Sequence, residues 1–189
     1  MAVKIPVEVS ARHIHLSQKD LETLFGAGYQ LKKFKQLSQP SDFACQEQLD
    51  VKSDSNILKK VRIVGPVRPQ TQVELAMTDA FFLGVNPPIR LSGDLNDSAG
   101  ITLVGPNGEL PLKRGLIIAA RHIHCNPEEA KMLGLKDQKI AAVKIEGFRE
   151  LVFRNIKIRV RNDYKLCLHL DTDEGNAAAI GRAGTGYLI

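Results

Sequence analysis

Apolar and polar positions alternate along most of this chain, the two-residue period of strands that bury one face. The first nine residues alternate, with Lys4 and Glu8 among the polar positions. Residues 140–145, 150–160 and 165–171 are strand-like, the first two rich in Val and Ile, and 61–64 and 73–77 are shorter candidates. Residues 100–112 predict a hairpin turning at Pro106-Asn107-Gly108. Long amphipathic helices are absent, and short ones are predicted at 79–83 and 174–180. The pattern predicts a mainly β fold with a few short helices.

One internal repeat dominates. Ala11-Arg12-His13-Ile14-His15 recurs unchanged as Ala120-Arg121-His122-Ile123-His124, an offset of 109 residues. Each copy follows an apolar run (Val7 and Val9; Leu116, Ile117 and Ile118) and precedes a helix start, Ser17 with Asp20 or Asn126-Pro127 with Glu129. Ser and Asn are N-cap residues that accept from otherwise unpaired amides, and Pro suits the first helical position. Gly26 and Gly134 are natural stops. The repeat predicts two related lobes, each built around a strand, an Arg-His-x-His segment and a capped helix.

Composition narrows the class. A chain of 189 residues can bury a real core, as one ordinary domain or two small ones. With 43% hydrophobic and 25% charged residues it is neither disordered nor fibrous. The longest apolar stretches, near 80–85 and 116–120, fall far short of the roughly 18 residues a membrane helix needs. The alternating start has no signal-peptide core, so a soluble cytoplasmic protein is expected. A net charge of +5 favours anionic partners. Aromatics at 5%, no Trp and scattered basic residues argue against nucleic acid, and phosphorylated small molecules suit the charge. Three Cys without a CxxC pair support neither a disulfide framework nor a thiolate zinc finger.

The chemistry concentrates on five histidines: His13, His15, His122, His124 and His169. In a strand, residues i and i+2 share a face about 6.6 Å apart at Cα. Each His-x-His pair can therefore converge on one cation while Ile14 or Ile123 turns to the core. Packing alone gives no reason to repeat a polar pentapeptide; metal ligation does. His169, and Glu74 between Val73 and Leu75, are candidate further ligands. Cys167 is a rival ligand or a small buried hydrophobe. Arg12 and Arg121 bind anions or pair with carboxylates. Arg68, in Gly65-Pro66-Val67-Arg68-Pro69, is a bidentate phosphate ligand or a solvated loop residue, and Arg90 has the same two readings. The residues reach a two-lobed, zinc-dependent protein with a basic site and stop short of the reaction.

Five ordered blocks then resemble one family. They are Val9-Ser10-Ala11-Arg12-His13-Ile14-His15-Leu16, the block from Gly65-Pro66-Val67-Arg68 to Glu74, Arg90-Leu91-Ser92-Gly93-Asp94, the second Arg121-His122-Ile123-His124, and residues 169–177. In them the chain resembles the PduL-type phosphate acyltransferases, the phosphate propanoyltransferases. The resemblance implies two β-barrels, one over 12–119 and the other joining 1–11 to 120–189. It implies transfer of a short acyl group, propanoyl or acetyl, between coenzyme A and inorganic phosphate at a two-zinc site between the barrels.

On that resemblance His13, His15 and Glu74 bind one zinc, and His122, His124 and His169 the other. Arg68 is the catalytic phosphate ligand. Ser10, Ala11, Arg12 and Asn176 contact coenzyme A, the turn before Asn176 opening a short helix whose first amides could meet an anionic group. Direct transfer is expected, with Cys125 beside His124 as the acyl-cysteine alternative. A homodimer is implied. Members packaged in microcompartments carry an N-terminal extension, and its absence predicts a bacterial cytoplasmic enzyme. The competing reading is a non-enzymatic β-module that binds zinc and coenzyme A or a nucleotide.

Overall fold

The computed structural model describes residues 3–189; Met1 and Ala2, which the sequence reading includes in the first alternating stretch, lie outside the described residues. The chain opens with β1 (Val3–Ser10), β2 (His13–His15) and α1 (Gln18–Phe25). Then come β3 (Lys33–Gln36), β4 (Phe43–Lys52), β5 (Ile57–Gly65), β6 (Gln72–Leu75), α2 (Met77–Leu83) and β7 (Ile89–Arg90). A hairpin of β8 (Ala99–Gly105) and β9 (Gly108–Ala119) leads to β10 (His122–Cys125) and α3 (Pro127–Leu133). The chain ends with β11 (Ile140–Ile145), β12 (Leu151–Val160), β13 (Cys167–Asp171), α4 (Thr172–Ala177) and β14 (Ala183–Leu188).

These elements form two compact units. One is Arg12–Ala119; the other combines the chain up to Ala11 with Ala120–Ile189. In the first, β4-β5-β2-β6-β9-β8 pair in order and β8 returns to β4, closing six strands, with β3 and β7 as side strands. In the second, β1-β13-β10-β12-β11-β14 close in the same way. Closure leaves no unpaired edge within either ring. The connectivity matches strand for strand: β2 lies between parallel β5 and antiparallel β6, and β10 between parallel β12 and antiparallel β13. The mainly β expectation, with two barrels and few helices, holds.

Each barrel has its own core. Ile14 packs with Leu16, Ile63, Leu75, Leu103 and Leu116 in one, and Ile123 with Ile5, Val7, Val143, Ile156 and Leu168 in the other. The helices start where their caps dictate. Ser17 Oγ accepts from the Asp20 amide at 3.2 Å and Asn126 Oδ1 from the Glu129 amide at 2.8 Å. Gly134 ends α3 in the left-handed conformation, φ 65°.

Three elements differ from the expectation. Asp171 caps α4 by accepting from the Glu174 amide at 2.8 Å, which moves that helix from 174–180 back to Thr172–Ala177. β4 escapes the period-two reading because Glu47 stands on its buried side, where it accepts from the Tyr29 hydroxyl at 2.9 Å and the Lys32 amide at 3.2 Å. β14 contains two glycines and so looks like a poor strand. Its Gly186 is a packing requirement, since a Cβ there would stand 2.4 Å from Val143 Cγ1. Among the described residues no helix is long and apolar enough to cross a membrane.

Gly186→Ala therefore overpacks the second barrel and destabilises it by about 1–3 kcal/mol. Gly181→Ala, with nothing within 4 Å of the new methyl, stays near wild type. Denaturant midpoints compared at constant m-value check the pair.

Candidate active site

Strand geometry builds the first ligand set. Ile14 is fully buried in the barrel, so His13 and His15 both turn to the outer face. On antiparallel β6, Glu74 is the register partner of His13. The two Nε2 atoms lie 3.6 and 3.8 Å from the same Glu74 oxygen, Oε1. His15 Nδ1 faces the Val64 carbonyl at 2.9 Å; a carbonyl only accepts, so Nδ1 carries the proton and Nε2 keeps its lone pair toward the cluster. Burial alone would raise the Glu74 carboxyl, but the His13 and His15 imidazoles and the Ser92 hydroxyl outweigh it and hold the carboxyl well below its usual range. The ligand atoms of His13, His15 and Glu74 all lie within 4.8 Å of one another.

The second set repeats the arrangement with a third imidazole. His122 on β10 is the register partner of His169 on antiparallel β13. His122, His124 and His169 are each 8% exposed, and their ligand atoms also fall within 4.8 Å. His122 Nδ1 donates to the Ala120 carbonyl at 2.9 Å. His124 stacks on Tyr164, ring centroids 3.8 Å apart, and among the described residues neither of its ring nitrogens has a hydrogen-bond partner. Burial first, then the neighbouring histidines and Arg159 and Arg161, keep that imidazole neutral. A buried neutral imidazole with two orphaned nitrogens is costly in a protein interior and suits a metal ligand. Glu8 and Cys167 form an overlapping set with His169, but burial pushes the Cys167 thiol up to about 12, and the ligating form is the thiolate. The three imidazoles are the better-prepared ligands.

Both repeat arginines pair with carboxylates. Arg12 binds Asp79, which also accepts from the Ala76 amide at the start of α2. Arg121 Nη1 lies 2.8 Å from Glu174, which also accepts from the Asp171 amide at the start of α4. In each barrel this acid follows the third ligand by five residues, Glu74 to Asp79 and His169 to Glu174. That equal spacing extends the repeat beyond the pentapeptide, and it was readable in the sequence once a third ligand was assigned to each set.

Arg68 stands beside the first set. Its backbone amide donates to Leu16 O at 2.8 Å and its Nη1 to Ser92 Oγ at 2.9 Å; Asp42 Oδ2 is 4.0 Å from Nη2. Ser92 Oγ also accepts from Gln72 Nε2 at 3.0 Å, while Gln72 Oε1 accepts from the Gly93 amide at 2.7 Å. Ser92 and Gln72 thus tie Arg68 and Glu74 into one network, a role the residue types alone did not signal. Arg90 instead serves its own loop, donating to the Asn96 and Ile89 carbonyls at 3.2 and 3.1 Å.

Of the other expected contacts, Ser10 ends β1, and Ala11, Arg12 and Asn176 are exposed. The first amides of α4 do not form an open anion cradle. Asp171 and Glu174 cap them reciprocally, because a six-residue helix end must satisfy its amides locally.

Two closed barrels, each presenting three side chains of metal-ligand type beside a partly exposed arginine–carboxylate pair, define a duplicated candidate metal-site architecture with basic groups at hand. A family model described as phosphate propanoyltransferase matches residues 6–181. The phosphate propanoyltransferase of Thermotoga maritima is 49% identical over 186 residues, covering 98% of this chain and 89% of that protein. Those of Enterococcus faecalis and Alkaliphilus metalliredigens are 41% and 43% identical, covering 97% and 99% of this chain and 87% and 88% of theirs. The chain belongs to the phosphate propanoyltransferase family and is a phosphate acyltransferase.

Cys45, Cys125 and Cys167 are all buried, and burial pushes the thiols up to about 11, 11 and 12. At pH 8 they stay protonated, so native protein should react with Ellman's reagent only as fast as it unfolds. Denatured protein should yield all three thiols at once. A fast equivalent in native protein would show an activated cysteine.

Proposed function

We propose that this protein interconverts a short-chain acyl-CoA, propanoyl or acetyl, and phosphate with the acyl phosphate and coenzyme A, by direct transfer and with two zinc ions per chain. The observation that carries this is the orphaned, buried His124 imidazole within a three-histidine set, in a chain of the phosphate propanoyltransferase family. His13, His15 and Glu74 would hold one zinc, and His122, His124 and His169 the other; both donor sets match zinc's preference for imidazole and carboxylate. When bound, the metal supplies Lewis-acid chemistry toward an acyl carbonyl or a thiolate.

The protein's own groups then position the reactants. A phosphate oxygen bonds to the thioester carbonyl carbon, the carbon–sulfur bond breaks, and its electron pair leaves on the coenzyme A sulfur. Arg68, braced by Ser92, orients phosphate through its planar charge. Ser10, Ala11, Arg12 and Asn176 contact coenzyme A. Arg12 does so with its side chain 46% exposed beside Asp79. Cys125 takes no acyl group, because its thiol is buried and protonated. The same reading gives a homodimer in the bacterial cytoplasm, and light scattering checks the dimer.

Thiol release from acetyl- and propanoyl-CoA, with and without phosphate, tests the reaction. Release should require phosphate, and phosphate-independent release would identify a hydrolase instead. Protein purified without added metal should carry close to two zinc equivalents; less than one at full activity would remove zinc from the scheme. Cobalt or manganese should substitute, since nitrogen and oxygen donors discriminate weakly among divalent metals.

Arg68→Ala should lose about 1.5–3 kcal/mol of charge-assisted binding, a tenfold to hundredfold fall in kcat/KM for phosphate. Zinc content and Tm should stay near wild type. Lysine should rescue only in part, lacking the fork. Arg90→Ala should change phosphate kinetics little; the reverse pattern would reassign the phosphate ligand to Arg90.

A further inference from the structure

A row of cations flanks the second histidine set. Lys157 and Arg159 on β12, and Arg161 just beyond its end, alternate with the buried Ile156 and Ile158 and the half-buried Val160, so all three turn outward. Strand β12 runs parallel to β10 in a register that sets Lys157 beside His122 and Arg159 beside His124. Register partners on neighbouring strands share a face at about 4.8 Å. These cations therefore stand on the same outer surface as the imidazoles.

Their partners separate them. Arg161 is committed, with Nε and Nη2 donating to Asp163 at 3.0 and 2.8 Å. Arg159 has its guanidinium 5.8 Å from the Tyr164 ring centroid, the ring that stacks on His124. Among the described residues neither Lys157 nor Arg159 has a carboxylate within ion-pair distance. Asp137, the acid at this end of β12, is engaged by the Val160 amide at 2.9 Å. Elsewhere on this barrel Lys144 meets Glu150 at 3.0 Å and Arg121 meets Glu174. Two half-buried cations with no carboxylate at ion-pair distance among the described residues, Asp137 acting on Arg159 only from farther off, stand side by side against a histidine set and offer a place for an anion.

We propose that Lys157 and Arg159 hold a phosphoryl group of a substrate beside the second histidine set. The identity of the ligand rests on the phosphotransacylase reading, because that reaction brings more phosphoryl groups than Arg68 can hold. Coenzyme A carries a 3′-phosphate and a diphosphate, and the second substrate is phosphate itself. The register supports this placement, since both cations share the surface of the imidazoles, whereas Arg68 belongs to the other barrel.

The test uses zinc-loaded protein carrying Lys157→Gln with Arg159→Gln, and Arg159→Lys alone. Michaelis constants are measured for phosphate, coenzyme A and 3′-dephospho-coenzyme A, alongside calorimetric titration with inorganic phosphate and coenzyme A. Loss of a charge-assisted contact should raise one Michaelis constant about tenfold or more with kcat little changed. A rise for phosphate assigns the transferred group. A rise for coenzyme A that vanishes with the dephospho form assigns the 3′-phosphate, and an equal rise with both assigns the diphosphate. Arg159→Lys should keep most of the affinity. Unchanged constants and titrations in the double variant overturn the site, as does a loss that tracks a fall in Tm and is equal for Lys and Gln at Arg159. If wild-type protein turns over no acyl-CoA, the functional reading fails by itself. The titrations still decide the site, through weaker phosphate or coenzyme A binding in the variant.

Discussion

The site depends on one constraint: in a strand, alternate residues point to opposite faces. Ile14 and Ile123 are fully buried in the two barrel cores, and each pulls its neighbouring histidines to the outer face together. A one-residue slip would turn the imidazoles into the apolar barrel interior and the isoleucine out of it. The hydrophobic burial of one side chain per barrel thereby sends two polar ones to the same face, where hydrogen bonds from His15 Nδ1 to the Val64 carbonyl and from His122 Nδ1 to the Ala120 carbonyl set the rings. Barrel closure then places the third candidate ligand, because β6 and β13 pair antiparallel to the His-x-His strands as the rings close.

A second layer keeps the arrangement in place. The arginine before each histidine pair grips an acid five residues beyond the third ligand, and that acid also caps a short helix. Arginine, helix start and ligand strand are therefore tied together in both barrels. The charged groups are only partly exposed and fully engaged, the condition under which such pairs specify geometry rather than merely decorate a surface. This also explains why the repeat keeps Arg in front of His-x-His: the guanidinium is a structural brace at least as much as a ligand contact.

The two sets are alike in placement and different in electrostatics. Glu74 gives the first a negative charge, held ionised by its imidazole neighbours and Ser92. The second is made of three imidazoles, with His124 held neutral by burial and cations nearby on β12. A pair of anionic substrates would meet two different fields on one duplicated scaffold. The buried thiols stand apart from this chemistry and belong to the packing.

Much of this was legible from residue order. The period-two pattern, the capped helices after each repeat, the turn at Pro106-Asn107 and the outward histidines follow from local rules, because strand periodicity and capping act over a few residues. The candidate ligand residues were also nameable, Glu74 and His169 among them, while their assignment to one set or the other rested on the family resemblance. What residue order left open needed long-range pairing. Glu47 looks wrong for a buried strand until the Tyr29 hydroxyl and Lys32 amide meet it, and Gly186 looks like a strand breaker until Val143 fills its place. Whether Arg12 and Arg121 face anions or carboxylates was undecided until Asp79 and Glu174 arrived from 67 and 53 residues away. The cations at Lys157 and Arg159 acquired meaning only when β12 settled in register beside β10. Sequence determined which face each side chain takes, since that is set by its nearest neighbours; tertiary structure decided which charges meet, since partners come from strands that only barrel closure brings together.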